Sequence, residues 1–208
     1  MKLGFIGTGN ISSDVITGIC NSQLKVEKII ISPRNKNKAN LLSKKFKKKI
    51  LIAKNNQEVV NNSNWLFLGV LPEVGKIILP RLNFKSNQTI ISFISTIKLN
   101  QLKKITNKKS KIVRAIPMPP ISLGKGPIAI YPPNKKVKNF FNKIGTCIEI
   151  KNEGLSNNFW AISGTMASFY ELLKVLSDWQ VKKGLKRSDA QKYITSLYSA
   201  LAELAAVH

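Results

Sequence analysis

The sequence predicts an α/β chain, a doubly wound parallel sheet over residues 1–151 followed by a small all-α domain over 152–208. Three observations carry this expectation. Short β-rich apolar runs alternate with helical stretches through the first two-thirds of the chain, the mark of βαβ units. The texture turns polar at 151–158, around Gly154, and no strand candidate follows it. A chain of 208 residues with 43% hydrophobic content has enough apolar surface to build such a core.

Strands are expected at 3–6, 28–32, 50–53, 65–70, 89–94 and 111–116. These runs are apolar on both faces, as strands covered by helices on two sides should be. A further pair, 128–131 and 146–150, flanks a helical stretch at 135–144. Beyond the linker the spacing predicts a helix from about Ser163 to Lys183, with Met166, Phe169, Leu173, Leu176 and Trp179 three and four residues apart. Gly184 is placed to end it. A second helix is expected to begin at Ser188-Asp189-Ala190-Gln191, a capping-box pattern, and to carry Tyr193, Ile194, Leu197, Tyr198, Leu201 and Leu204 on one broad face. Two helices this apolar cannot cover each other fully. They are expected to pair the chain with further copies, as a homodimer or larger homo-oligomer.

Lysines and arginines number 34 against 10 acids, a net charge of +24. Such an excess ordinarily points to nucleic acid, through exchange of condensed counterions for protein cations. Here the lysines (Lys44, Lys45, Lys47, Lys48 and Lys49; Lys103, Lys104, Lys108 and Lys109; Lys135, Lys136 and Lys138) are scattered through every segment among asparagine and isoleucine. They read as decoration of solvated faces that aids solubility and steers anions, and no nucleic-acid partner is expected. No apolar stretch reaches the roughly 18–20 residues of a membrane span. The opening Met1-Lys2-Leu3-Gly4-Phe5-Ile6-Gly7 is too short and glycine-broken for a signal peptide, so the expected location is the cytoplasm, without a membrane partner. Cys20 and Cys147 stand far apart without neighbouring histidines, and are expected as buried thiols rather than a disulfide or a metal site.

The most specific chemistry lies at the start. The first strand runs directly into Gly7-Thr8-Gly9-Asn10-Ile11-Ser12 and then an amphipathic helix. This is GxGxxG with a small residue in the third position. Gly7 permits the tight turn, Gly9 lets backbone approach a pyrophosphate, and Ser12 is small enough for helix-on-strand packing. Strand before, helix after and repeated βαβ context make this a dinucleotide-binding Rossmann domain in expectation. The second strand ends in Ser32-Pro33-Arg34-Asn35-Lys36, with no acid to bind ribose hydroxyls or repel a 2′-phosphate. Ser32 as a hydrogen-bond donor and Arg34 as a planar fork select NADP(H) over NAD.

These residues resemble the pyrroline-5-carboxylate reductase family. Gly7-Thr8-Gly9-Asn10-Ile11 is similar to that family's glycine-asparagine-methionine opening, and Leu68-Gly69-Val70-Leu71-Pro72 to its strand ending in Val-Lys-Pro. Arg114-Ala115-Ile116-Pro117 is similar to its Arg-Ala-Met-Pro, and Ser163-Gly164-Thr165-Met166-Ala167 to its Ser-Gly-Ser-Gly-Pro-Ala helix start. The resemblance implies cofactor contacts from Val70, Leu71 and Pro72, and NADPH delivering hydride to a cyclic imine such as pyrroline-5-carboxylate. It also implies that Ser163 and Thr165, at a helix start, receive the carboxylate of that small-molecule substrate. The sequence departs from the family at Leu71, where the family has lysine, and at Met118-Pro119, where it has Asn-Thr. Ser95-Thr96 replaces Ala-Gly. The family also continues into another helix and a Thr-Ser-Pro-Gly-Gly loop not found here, which leaves a truncated chain or an incomplete substrate site as the expectation.

The single histidine is the terminal His208, and Asp14, Glu73, Glu153, Glu171, Asp178, Asp189 and Glu203 form no spaced pair suited to a metal or a carboxylate dyad, so no metal is expected. This poverty suits reduction of an already protonated imine, which needs alignment more than a general acid. Tyr170 and Tyr193 are expected to pack in a core or interface. Two alternatives stand beside this reading: a related NADP oxidoreductase acting on another small imine or carbonyl, and a noncatalytic NADP(H)-binding module.

Overall fold

The computed structural model describes residues 1–106 and 110–207. Lys108, Lys109 and His208 lie outside the described residues. The chain divides into two compact units, Met1–Ser156 and Asn157–His208.

In the first unit, β1 (Lys2–Ile6) leads into α1 (Asn10–Asn21), then β2 (Lys28–Ile31), α2 (Lys36–Lys45), β3 (Ile50–Ile52) and α3 (Asn56–Asn61). The second half repeats the pattern with β4 (Trp65–Leu68), α4 (Pro72–Ile78), β5 (Thr89–Ser92), α5 (Leu99–Ile105) and β6 (Lys111–Pro117). These six strands are parallel, in the order 3-2-1-4-5-6. That is the Rossmann arrangement, with the order reversing between β1 and β4. Their side chains feed a buried cluster on each face, one holding Phe5, Ile16 and Phe67, the other Ile6, Leu68 and Ile94. Phe5 and Phe67 stack at 4.4 Å directly beneath the β1 and β4 ends.

The sheet departs from the all-parallel expectation at its far edge, where β7 (Pro127–Tyr131) runs antiparallel to β6. The stretch 118–126 between them holds only a 3₁₀ turn, Pro119–Leu123, and a parallel crossover takes about a dozen residues or more. The helix α6 (Lys135–Phe141) then provides a true crossover, and β8 (Thr146–Glu149) is parallel to β7. A 3₁₀ turn, Glu153–Leu155, follows β8 in the stretch read as a linker.

Both thiols sit where burial governs them. Cys147 is buried and Cys20 half-buried, each free. Burial pushes Cys20 up to about 11 and Cys147 up to about 12, with the carboxylate of Glu149 adding to the latter. At pH 8 the reactive thiolate is therefore suppressed. Native protein is expected to react with a disulfide reagent at least about tenfold more slowly than unfolded protein. Equal rates would show that the thiols are not held as described.

The second unit is helical: α7 (Ser156–Ser163) begins at the boundary, followed by α8 (Met166–Lys182) and α9 (Arg187–Ala205). α8 ends as expected at Gly184, whose N–H donates to Val181 O while Leu185 N–H reaches back to Gln180 O. The capping box expected at Ser188 does not form. The helix α9 begins one residue earlier, behind Lys186 in extended conformation, and no side chain caps it. Arg187, its first residue, pairs with Asp178 at 2.7 Å, and Ser188 falls inside the first turn. Ala190 and Ile194 are buried between α8 and α9, and Phe169 meets Tyr198 edge-on at 6.0 Å. Trp179, Tyr193, Leu197, Leu201 and Leu204 stay exposed, so the faces are only partly covered. Among the described residues no helix is long and apolar enough to cross a membrane.

Candidate functional site

The strand β1 delivers the chain to Gly7 at the carboxyl edge of the sheet, beside the point where strand order reverses. Gly7 adopts φ +99°, and a Cβ there would stand 2.5 Å from the carbonyl oxygen of Gly69. Its N–H donates to Ser32 Oγ at 2.9 Å. Gly9 is the extended N-cap of α1, and a Cβ added to it would meet nothing nearer than 3.8 Å, so the face above it is open. No side chain caps α1 and no acid stands in its first turn. Its first amides and the positive end of its dipole are thereby left for an anion. Ser12 is fully buried against Gly69, the close helix-to-strand contact that its small size permits.

Gly7, Thr8 and Gly9 form one wall of a cleft of about 570 Å³. The turn after β2, Arg34 to Asn37, forms a second wall, and Gly69, Val70, Leu71 and Val74 a third. The first wall is glycine backbone and the Thr8 side chain, and the second is polar and basic. The third is apolar, and Leu71 is 74% exposed. Thr8 is buried to 2% exposure, yet its Oγ1 has no hydrogen-bond partner. An orphaned hydroxyl in such a turn is unusual, because buried polar groups are nearly always paired. Asp14, farther along α1, has its carboxyl raised chiefly by burial, with the ammonium of Lys38 pulling the other way.

Six of the sequence candidates line the cleft: Gly7, Thr8, Gly9, Arg34, Val70 and Leu71. Asn10 stands exposed at the start of α1 and accepts a hydrogen bond from Lys38 Nζ. Ile11 is half-buried on α1, and Pro72 is the first residue of α4. Neither lines the cleft. Ser32 does not line the cleft: it is 1% exposed and its Oγ accepts from Gly7 N, which braces the glycine turn. Sequence reasoning missed Asn35, Lys36, Asn37, Gly69 and Val74. The available signal was Asn35, whose side chain caps α2 by accepting from Lys38 N, since a helix starting at a strand's carboxyl end aims its first turn at the cleft.

In the second unit, the helix expected from about Ser163 begins three residues later at Met166, and the helix α7 that precedes it was not expected. Ser163 closes α7, and Gly164-Thr165 turns the chain through Gly164 N to Ala161 O and Thr165 N to Ile162 O. Thr165 occupies the N-cap of α8 but makes no capping bond, because its Oγ1 donates to Ile162 O at 2.7 Å. Tyr170 and Tyr193 are exposed rather than packed in a core. Among the described residues no cluster of histidine, cysteine, aspartate or glutamate could hold a metal.

The family described as "NADP oxidoreductase coenzyme F420-dependent" matches residues 2–96, the segment that builds this cleft. A pyrroline-5-carboxylate reductase from Synechocystis is 28% identical over 214 aligned positions, which cover 98% of this chain and 79% of that protein. The pyrroline-5-carboxylate reductase of Streptococcus pyogenes shares the fold at a TM-score of 0.84 and 22% identity, over 100% of this chain and 80% of that one. The enzyme from Plasmodium falciparum, solved with NADP bound, gives 0.82 and 24% over 98% and 78%.

Proposed function

We propose that the chain is a divergent member of the pyrroline-5-carboxylate reductase family and that it uses NADPH to reduce a carboxylated cyclic imine, pyrroline-5-carboxylate first among candidates. The observation that carries this reading is the glycine-loop cleft itself. Its open face above Gly9, the uncapped start of α1 and the unpartnered Thr8 hydroxyl all suit a pyrophosphate, so the residues present fit the dinucleotide. Arg34 and Lys36, on a cleft wall without an acid, would receive the 2′-phosphate. Val70, Leu71 and Val74 supply an apolar side that would shed water. When bound, NADPH supplies the hydride.

The chain's own groups have a modest chemical task. A protonated imine already carries the positive carbon that accepts hydride, so alignment and desolvation do most of the work. For the substrate carboxylate, the N-terminus of α8 is the proposed receiver. Because the Thr165 hydroxyl is committed to Ile162, the first amides of α8 are better donors than that hydroxyl, with Ser163 beside them on the preceding helix end. The exposed apolar faces of α8 and α9 support assembly into a homodimer or larger homo-oligomer.

The test is loss of NADPH absorbance with pyrroline-5-carboxylate, run beside the six-membered homologue and with NADH as control. Turnover of the five-membered imine with NADPH, at least about tenfold above NADH, is expected. Binding of NADPH without turnover of either imine would remove the proposed substrate class and leave the cofactor cleft.

A further inference from the structure

The most buried ion pair described in the first unit lies outside the cleft. Arg114, on β6, is 6% exposed, and its Nη1 donates to Glu153 Oε1 at 2.7 Å. Nη2 donates to the carbonyl of Ser95, just past the end of β5. The same Glu153 oxygen accepts from Leu99 N, the first amide of α5, at 2.7 Å. One guanidinium and one carboxylate thus grip the loop that joins β5 to α5 at its middle, Ser95, and at its far end, Leu99. A pair kept for stability alone would satisfy every donor, but Arg114 Nε is buried without a partner. Buried ion pairs are in any case weak sources of stability, since desolvation offsets their attraction.

The gripped loop borders the cleft wall. Phe93 N–H donates to Leu68 O, and the Phe93 ring lies 3.6 Å from where a Cβ on Gly69 would stand. Ile94 packs 3.1 Å from the corresponding point on Gly75 of α4. A shift of the loop would therefore pass to Gly69 and Val70. In open α/β sheets, ligands lie beyond the carboxyl ends of the strands, where β4 and β5 end here.

We propose that Arg114 and Glu153 are positioning residues for the nicotinamide end of the cofactor, holding the loop after β5 so that the apolar wall at Gly69 and Val70 keeps one shape. The proposal rests on the NADPH reading above. It separates the two halves of the cofactor: the adenosine half is held by the glycine loop and Arg34, the nicotinamide half depends on the ion pair.

The test uses the double variant Arg114→Met/Glu153→Leu, because replacing both partners of a buried pair with apolar residues tends to preserve stability. Adenosine 2′,5′-bisphosphate, which lacks nicotinamide, is expected to bind the variant within about twofold of wild type. The emission change of bound NADPH should be lost, and imine turnover should fall about 100-fold, the scale of a small misplacement of reacting atoms. Glu153→Gln, which keeps an acceptor for Leu99 and loses the charge, gives the same readout should the double variant not fold. Wild-type emission and turnover in a folded variant would overturn the proposal, and so would a parallel loss of bisphosphate affinity. A wild-type protein that binds no NADPH would instead overturn the cofactor reading and this inference with it, a pattern distinct from either.

Discussion

Gly7→Ala is expected to weaken NADPH binding about 100-fold and to destabilise the fold. Two independent penalties act at this position. Alanine in the left-handed region costs about 1–2 kcal/mol, and Gly7 has φ +99°. The added methyl would also sit 2.5 Å from the carbonyl oxygen of Gly69, which is backbone and cannot swing aside. Relief requires the turn to rotate, which breaks the bond from Gly7 N to Ser32 Oγ and moves the Thr8 hydroxyl and the α1 amides together. About 3 kcal/mol in total corresponds to roughly 100-fold in affinity. Calorimetric titration with NADPH, paired with a thermal melt, measures both parts. Affinity within threefold of wild type would show that the glycine turn does not shape the site.

Arg34→Glu is expected to invert cofactor preference. Arg34 is exposed on the cleft wall, with Lys36 beside it and no acid nearby. Losing a charge-assisted bond to a 2′-phosphate costs about 1.5–3 kcal/mol, and the new carboxylate adds repulsion. NADPH affinity should fall about 100-fold, whereas NADH, which lacks that phosphate and can use the acid for its ribose hydroxyls, should change by less than about threefold. The NADPH loss should also shrink as salt rises, because the contact is solvent-facing. Equal losses for both cofactors would move the 2′-phosphate away from Arg34.

The sequence shows the strands and the glycine turn clearly because each has a strong local cause. β1, β2, β4 and β5 are apolar on both faces, and a GxG after a strand has few other uses. What it hides depends on direction and on distance along the chain. Ser32 was legible as a hydroxyl near the cleft, but only the fold reveals that its Oγ is engaged by Gly7 from below. Asn35 to Asn37 look like ordinary surface polar residues until the start of α2 aims them at the cleft. The antiparallel β7 follows from the length of its connection rather than from its own residues. The helix α7 was masked because it starts inside the polar stretch that reads as linker. Arg114 and Glu153 are 39 positions apart, and Glu153 lies in a stretch that reads as linker, so no local pattern joins them.

The central claim is that hydride passes from NADPH to the carbon of a cyclic imine in this protein. Incubation of the purified chain with pyrroline-5-carboxylate and NADPH deuterated at both C4 positions, followed by mass spectrometry of the product, tests it most directly. Proline carrying one deuterium at the former imine carbon is the expected result. Unlabelled product, or no proline despite bound NADPH, would contradict the claim.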